Sequence, residues 1–321
     1  KFLLAAHAPG DTWRSMQQAC IQGRADEVKL LLDAGYVLHG RNSPSQMPLV
    51  LAVEHGRTDI AQMLINARAE VNVPHIPLLV PAMETNNIEL INLLVAAHAD
   101  VNVCNLARCP ITYSVETGNI ELTKLLIDAR ADVDFMPYSY IKTALCVAVE
   151  RGDVNAARLL IDAKANINHS LGAYTPLIYA AQSEQLETMK LLLDAKAHVD
   201  AGNGLALMLA AEAGKAKVVE ILVGANASLE SRCIPGRSPL LNAISKGHKH
   251  VVTMLVAAKA ALVSPPAIDD ALSFAAKSDN TDIMNILMDA KAPLETPDKW
   301  SPLQTAVESG RRSTVQFLLD A

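Results

Sequence analysis

Apolar residues along this chain fall into paired short runs. In residues 112–134, TYSVETGNIELTKLLIDARADVD, the spacing predicts a short helix, a tight turn at Gly118, a longer helix ending near Ala129 and an extended exit. Aligning similar stretches on the residue equivalent to Ser114 gives the anchors Ala19, Ala52, Ala82, Ser114, Ala148, Ala180, Ala210, Ala243, Ala275 and Ala306, spaced 30 to 34 residues apart. Twelve residues after every anchor stands a leucine, from Leu31 and Leu64 to Leu287 and Leu318, and fifteen after it an alanine. Three before the anchor the chain places Met16, Leu49, Leu79, Ile111, Leu145, Leu177, Leu207, Leu240, Leu272 and Leu303. Positions nine, twelve and thirteen after it complete the i, i+3, i+4 stripe of an amphipathic helix, as in Val28, Leu31 and Leu32. A period in this range predicts an all-α array in which each helix pair buries its apolar face against its neighbours. Truncating a recurring leucine such as Leu160 to Ala then costs on the order of 2–5 kcal/mol.

The period sets expected repeats at 9–41, 42–71, 72–103, 104–137, 138–169, 170–199, 200–232, 233–264, 265–295 and a truncated 296–321. Residues 1–8 resemble 93–100 (LLVAAHAD) and are expected to be the end of a preceding repeat, so the chain reads as a piece of a longer protein. The connections, such as 40–48 (GRNSPSQMP) and 231–239 (SRCIPGRSP), carry Pro, Gly, Asn and Ser and predict turns, with short hairpins between neighbours.

Only 4% of the 321 residues are aromatic although half are hydrophobic, which suits thin layers of Leu, Val, Ile and Ala rather than one deep core. The formal net charge of −6 argues against a general nucleic-acid binder. No apolar run reaches the roughly 18 residues of a membrane span. The five cysteines, Cys20, Cys104, Cys109, Cys146 and Cys233, are odd in number and irregularly spaced, which reads as free thiols in a reducing, intracellular and cytoplasmic setting. Phosphate-loop, zinc-protease and nucleophile-elbow motifs do not occur. Cys104 and Cys109 share one connection without a second Cys/His pair, so the reading is no metal, no cofactor and no catalytic residue.

Thr175-Pro176-Leu177-Ile178-Tyr179-Ala180, Ser238-Pro239-Leu240-Leu241-Asn242-Ala243 and Ser301-Pro302-Leu303-Gln304-Thr305-Ala306, with exits such as 99–102 (ADVN) and 131–134 (ADVD), resemble the ankyrin repeat along the whole chain. The resemblance implies a solenoid of about ten helix–turn–helix repeats with hairpin fingers, whose first helices and fingers line a concave protein-binding surface. Two features depart from that pattern. The histidine after T-P-L is replaced in every copy, for example by Thr112, Ile178 and Gln304, so another bond must tie the turn to the helix. The glycine closing the second helix survives only as Gly35; Arg68, His98, Arg130, Lys164, Lys196, Asn226, Lys259 and Lys291 take its place. A left-handed cap on a residue with a Cβ costs roughly 1–2 kcal/mol, against which a cation at a helix C-terminus returns about 0.3–1 kcal/mol.

Two residues after the anchor stand Glu54, Glu84, Glu116 and Glu150 in consecutive copies, then Glu212 and Glu308. At helix-packing distances of about 10 Å the first four form an acidic ladder suited to a partner with a basic segment; the competing reading is an ordinary solvated face. Phe135, Tyr138 and Tyr140 crowd one finger and Tyr174 the next, as binding anchors or as finger-to-finger packing, with Trp13 and Trp300 of similar standing at the ends. The basic column from Arg68 to Lys291 reads as solvated beside Asp128, Asp162, Asp194 and Asp289. The resemblance also implies that Asn72, Asn102 and Asn168 stand where asparagine hydroxylation occurs in relatives. The resulting expectation is a non-enzymatic, monomeric interaction scaffold, with a targeting arm of a larger enzyme or effector, or a structural spacer, as the competing readings.

Overall fold

The structure, a computed structural model, describes residues 9–38, 46–74, 76–104, 109–136, 142–170, 172–230, 238–259, 271–292 and 301–320. The chain divides into two compact units, Lys1–Val147 and Ala148–Ala321. In the first unit the helices run α1 (Pro9–Gln22), α2 (Ala25–Asp33), α3 (Pro48–Glu54), α4 (Thr58–Asn66), α5 (Leu79–Glu84), α6 (Ile88–Ala96), α7 (Pro110–Glu116) and α8 (Ile120–Asp128). The division falls inside α9 (Ala144–Arg151). The second unit continues with α10 (Val154–Asp162), α11 (Pro176–Gln182), α12 (Leu186–Asp194), α13 (Ala201–Glu212), α14 (Ala216–Gly224), α15 (Pro239–Ser245), α16 (Lys249–Ala257), α17 (Ala271–Lys277), α18 (Thr281–Asp289), α19 (Pro302–Glu308) and α20 (Arg312–Asp320).

Each unit is built in two layers. In the first, α1, α3, α5 and α7 contact one another in sequence, and α2, α4 and α6 do the same beside them. In the second, the odd helices α11 to α19 form one layer and the even helices α10 to α20 the other. The recurring leucines Leu64, Leu94, Leu126, Leu160, Leu192, Leu222, Leu255 and Leu287 have no exposed surface. The alanine anchors are likewise enclosed, since a methyl group at that point is what lets paired helices approach. Among the described residues the connections are turns and no strand forms beyond a bridge position at Tyr174. The hairpins expected between neighbours are therefore not formed among the described residues, and part of most connections lies outside them.

Both helices of a pair stop in the same way. After the first, the amide five residues past the anchor bonds the anchor's own carbonyl, as in Arg57 N to Ala52 O (2.8 Å) and Asp153 N to Ala148 O (2.9 Å). After the second, the amide five residues past the recurring leucine bonds that leucine's carbonyl, as in Ala69 N to Leu64 O and Ala165 N to Leu160 O, both 2.9 Å. These closures need a left-handed residue at each stop. The expected strained caps are present: φ is +65° at Arg68, +60° at His98, +70° at Lys164 and +71° at Lys196. The copies lacking glycine in the inter-helix turn bend alike, with Asn86 at +50°, Glu184 at +55° and Asp279 at +56°.

In three copies a side-chain cap stands where the lost histidine would, whereas the buried Thr112 and Thr175 hydroxyls make no hydrogen bond. Gln304 stands in its place and completes a reciprocal capping box, its Oε1 accepting from Ser301 N (2.8 Å) while Ser301 Oγ accepts from Gln304 N (3.2 Å). Ser238 Oγ accepts from Leu241 N, and Thr143 Oγ1 from Cys146 N, both at 3.3 Å. Near the start of α13 the chain instead makes a left-handed kink through Gly202, Asn203 and Gly204. A Cβ on Gly202 would stand 2.9 Å from Ala173 O, so only glycine fits there.

Candidate functional site

A first helix of seven residues has room to bury one face and show one stripe. In α3 the residues Leu49, Val50, Ala52 and Val53 are buried, leaving Leu51, Glu54 and His55 toward solvent. α5 buries Leu79, Val80, Ala82 and Met83 and leaves Pro81, Glu84 and Thr85; α7 buries Ile111, Thr112, Ser114 and Val115 and leaves Tyr113, Glu116 and Thr117. The last member of each stripe turns back on its own helix. Thr85 Oγ1 donates to Pro81 O and Ala82 O, Thr117 Oγ1 to Tyr113 O and Ser114 O, and His55 Nδ1 meets Leu51 O at 2.9 Å. What faces outward from α3, α5 and α7, each packed on the next, is a half-buried apolar row, Leu51, Pro81 and Tyr113, beside the exposed carboxylates of Glu54, Glu84 and Glu116.

The fingers of this unit are stitched by side chains. Asn72 Oδ1 accepts from Asp100 N (2.7 Å) while its Nδ2 donates to His98 O (3.0 Å), and Asn102 Oδ1 accepts from Asp132 N (2.9 Å). Asn168 repeats the bond to His198 N (2.8 Å), and Asp200 to Ser228 N (2.8 Å), in the second unit. These four exit residues thus tie the exit of one helix pair to that of the next. Beside these exits lies a cleft of about 240 Å³ lined by Val71, Val73, Ile76, Leu78 and Val103 together with Asn72 and Asp100.

The remaining candidate residues scatter. Glu150 is exposed on α9 in the second unit, and Glu308 is exposed on α19. Glu212 is half-buried, with Lys246 Nζ 3.6 Å from its carboxylate. Phe135 is half-buried in the turn after α8, its amide bonded to Asp132 O. Tyr174 packs on Tyr179 of α11, ring centroids 5.4 Å apart, so this finger aromatic rests on the helix surface of its own pair. Trp13 stacks on Tyr36 at 6.2 Å. Tyr138, Tyr140 and Trp300 lie outside the described residues. The basic column is exposed from Arg68 to Lys291. Among the described residues no group of three or more His, Cys, Asp or Glu side chains is placed to hold a metal ion, and no helix is long and apolar enough to cross a membrane.

Sequence reasoning missed a set of bonds running from one helix pair to the one before. The residue capping the second helix reaches back to the end of the preceding first helix. Arg57 donates to Ile21 O (3.2 and 3.3 Å), Gln185 Nε2 to Val149 O, Lys215 Nζ to Gln182 O, His248 Nε2 to Glu212 O (2.9 Å) and Arg311 Nε to Lys277 O (3.1 Å). Where a short side chain stands there, it caps its own helix instead: Asn87 accepts from Leu90 N, Asn119 from Leu122 N, Asp153 from Ala156 N and Asn280 from Ile283 N. Side-chain reach at one position decides between the two arrangements, a signal the letters carry only when sorted by length and donor capacity.

The reading of Cys104 and Cys109 as free loop thiols is corrected by the structure. They are joined by a disulfide, with Cα atoms 4.4 Å apart, a separation within the range such a bond spans. Cys20 and Cys146 are buried thiols outside that bond. Burial pushes the Cys20 thiol up to about 12. Tyr36 is also raised to about 12, by burial first and by the neighbouring Cys20 second.

Comparison with known proteins follows the same geometry. The ankyrin-repeat family signature matches residues 46–76 and, in three overlapping copies, 78–170, 139–203 and 177–264. The chain is 30% identical over 127 residues to "Ankyrin repeat and KH domain-containing protein mask-1" of Caenorhabditis elegans, a match that covers 38% of this chain and spans about 5% of that protein's length. Its fold is similar to the crystal structure of the human ASB11 ankyrin repeat domain, with a TM-score of 0.56 at 24% identity over 66% of this chain and 97% of that one. It is also similar to an ankyrin repeat domain from Acinetobacter baumannii, with a TM-score of 0.54 at 26% identity over 57% of this chain and 98% of the other. With the signature running through most of its length and the paired helices closing as they do, the chain belongs to the ankyrin-repeat family.

Proposed function

We propose that this chain is a non-catalytic protein-interaction scaffold that binds a partner through its first helices and fingers, and that the partner presents a basic, amphipathic segment. Ankyrin repeats generally serve as protein-interaction modules, and that much follows from the family. The finer reading rests on one observation: Glu54, Glu84 and Glu116 stand exposed on three successive packed helices, each beside a half-buried apolar residue of its own helix. Such a surface offers apolar contact under a line of like charge, which favours a partner carrying Lys or Arg and steers its approach. A stitched, pre-formed surface also loses little conformational freedom on binding. Phe135 extends the proposed contact set within the first unit, and Glu150 and Tyr174 are separate candidate contacts of the second unit; Tyr138, Tyr140 and Trp300, read from the sequence as further contacts, lie outside the described residues.

Affinity capture with the chain and with a Glu54→Lys, Glu84→Lys, Glu116→Lys variant tests the reading. The expected result is loss of a protein captured by the parent, with a capture that weakens as salt rises. A capture identical in both at low salt would overturn the charge reading. The second reading, an arm that targets a larger enzyme or effector, is favoured by the relative from Caenorhabditis elegans, whose name includes a further domain and of which this chain spans about 5%.

A further inference from the structure

Cys104 and Cys109 sit on opposite sides of an accessibility boundary. Cys104 is half-buried, with its Sγ 3.6 Å from Asn102 O, and directly follows Val103 on the wall of the finger cleft. Cys109 is 1% exposed and caps the start of α7 immediately before Pro110. The other described cysteines, Cys20 and Cys146, are buried. Of the described cysteines, Cys104 is therefore the one with exposed surface, while its bonded partner is shielded.

We propose that Cys104–Cys109 is a reversible thiol–disulfide modification site, opened and closed by a small-molecule thiol/disulfide couple that enters only through Cys104. In opening, a thiolate of the couple attacks Cys104 Sγ. The protein S–S bond breaks, and its electron pair leaves on Cys109 Sγ, which takes a proton. The mixed disulfide on Cys104 is then attacked at its small-molecule sulfur by a second thiolate. Cys104 leaves as thiolate, and the couple departs as its own disulfide. Two protein sulfurs have gained two electrons and two small thiols have lost them. Closing is the reverse sequence: Cys104 thiolate attacks the small disulfide, and Cys109, held with its Cα 4.4 Å from that of Cys104, resolves the adduct within the chain. This direction follows from exposure, because exchange requires the attacking sulfur to reach the attacked one. It is independent of whether the first-helix surface binds a basic partner.

Differential alkylation of the fully reduced chain, followed by peptide mass spectrometry, tests the order without any substitution. Cys104 is expected to label at least about tenfold faster than Cys109, whose sulfur waits on local opening. Equal rates would overturn the proposal. Oxidised glutathione then tests the pathway. The parent should end with the internal Cys104–Cys109 bond and no retained glutathione on either residue. Cys109→Ser and Cys109→Ala should each hold one glutathione on Cys104, whereas Cys104→Ser should leave Cys109 unmodified over the same time. Thermal unfolding of each variant establishes that the fold is retained. A stable adduct on Cys104 in the parent, or an adduct on Cys109 in folded Cys104→Ser, would overturn the proposal.

Discussion

Ser114 and Thr123 meet hydroxyl to hydroxyl at 2.9 Å across the α7–α8 pair, both wholly buried. Each oxygen also has a backbone carbonyl within reach, Ile111 O at 2.8 Å from Ser114 Oγ and Asn119 O at 3.0 Å from Thr123 Oγ1, so one hydroxyl donates across the bridge while the other donates to its own carbonyl. Ser114 is the one anchor that is not alanine, and Thr123, nine residues on, is the one polar residue at its own position in the ten copies. The pair substitutes a small polar bridge for the alanine–aliphatic contact used elsewhere. Removing one hydroxyl strands part of the other's bonding in a dry interface, whereas removing both restores the usual contact. Ser114→Ala or Thr123→Val alone should cost about 0.5–1.5 kcal/mol in urea unfolding. The double variant should recover most of that loss. Additive losses in the double variant would show that the two hydroxyls act separately.

The helix pairs and their buried faces were readable because one local environment is used many times. A leucine twelve residues past a small anchor is wholly buried in eight copies and half-buried at Leu31 and Leu318, in the first and last, so the pattern of Leu64, Leu94 and Leu126 records packing directly. The left-handed caps were readable for the same reason. Bonds between pairs were not, because they depend on reach: Arg57, Gln185, Lys215, His248 and Arg311 share no charge state or shape, only a donor at the end of a side chain long enough to arrive. The Ser114–Thr123 bridge was visible in principle as two simultaneous departures within one copy. The acidic row was legible as a row, but its half-buried apolar companions Leu51, Pro81 and Tyr113 became apparent only once the exposed stripe of each short helix was fixed.

Gly214 and His248 test the inter-pair bonds. A Cβ on Gly214 would stand 2.5 Å from His248 Nδ1, whereas one on Gly247, also left-handed, meets nothing nearer than Asn280 Nδ2 at 3.5 Å. Gly247→Ala should therefore cost only the roughly 1–2 kcal/mol of the left-handed backbone. Gly214→Ala should cost about 1 kcal/mol more, because it also displaces the ring from Glu212 O. In a Gly214→Ala, His248→Ala background the excess over backbone strain should vanish as a coupling energy.

Replacing left-handed residues by glycine should separate two kinds of cap. At Glu184 the backbone is left-handed and a carboxylate sits at a helix C-terminus, so strain relief of roughly 1–2 kcal/mol and about 0.3–1 kcal/mol from the helix dipole act together. Against them stands about 0.4–1 kcal/mol of added freedom in the unfolded chain. Glu184→Gly should stabilise by about 1 kcal/mol. Lys196→Gly relieves similar strain but removes a favourable cation, and its net effect should lie within about 0.5 kcal/mol of zero. Urea midpoints at constant slope give both values.

Cys20 should be silent to thiol reagents in the folded chain. Its sulfur is wholly buried, and burial pushes the thiol up from 9.0 to about 12. Alkylation should follow the opening of α1 and speed up in parallel with denaturant-driven unfolding. The sign of the linkage is fixed. A raised pKa means that the folded form holds the proton more tightly, so the contribution is complete below pH 9.0 and is lost as pH rises toward 12. Cys20→Ala should flatten the alkaline limb of the stability profile, and an unchanged limb would assign it to other groups.

Asp279 gives the opposite dependence at the acidic end. Its Oδ1 accepts from Ser313 Oγ (2.6 Å) and Thr314 Oγ1 (2.7 Å), tying the left-handed turn after α17 to the first turn of α20. These bonds, led by that from Ser313, hold its carboxyl below the ordinary value of 3.8. A depressed pKa means that the ionised form is favoured by folding. The contribution is therefore present above pH 3.8 and is lost as pH falls through the lower folded value. Because the carboxylate is exposed, the effect should be confined to α20 rather than spread through the second unit. Amide exchange in α20 should accelerate on acidification relative to α16, after allowance for the intrinsic pH dependence of exchange. Asp279→Asn should abolish that difference while leaving α16 unchanged, since a carboxamide does not titrate. Retention of the parental pH dependence in Asp279→Asn would show that another acid holds the last helix in place.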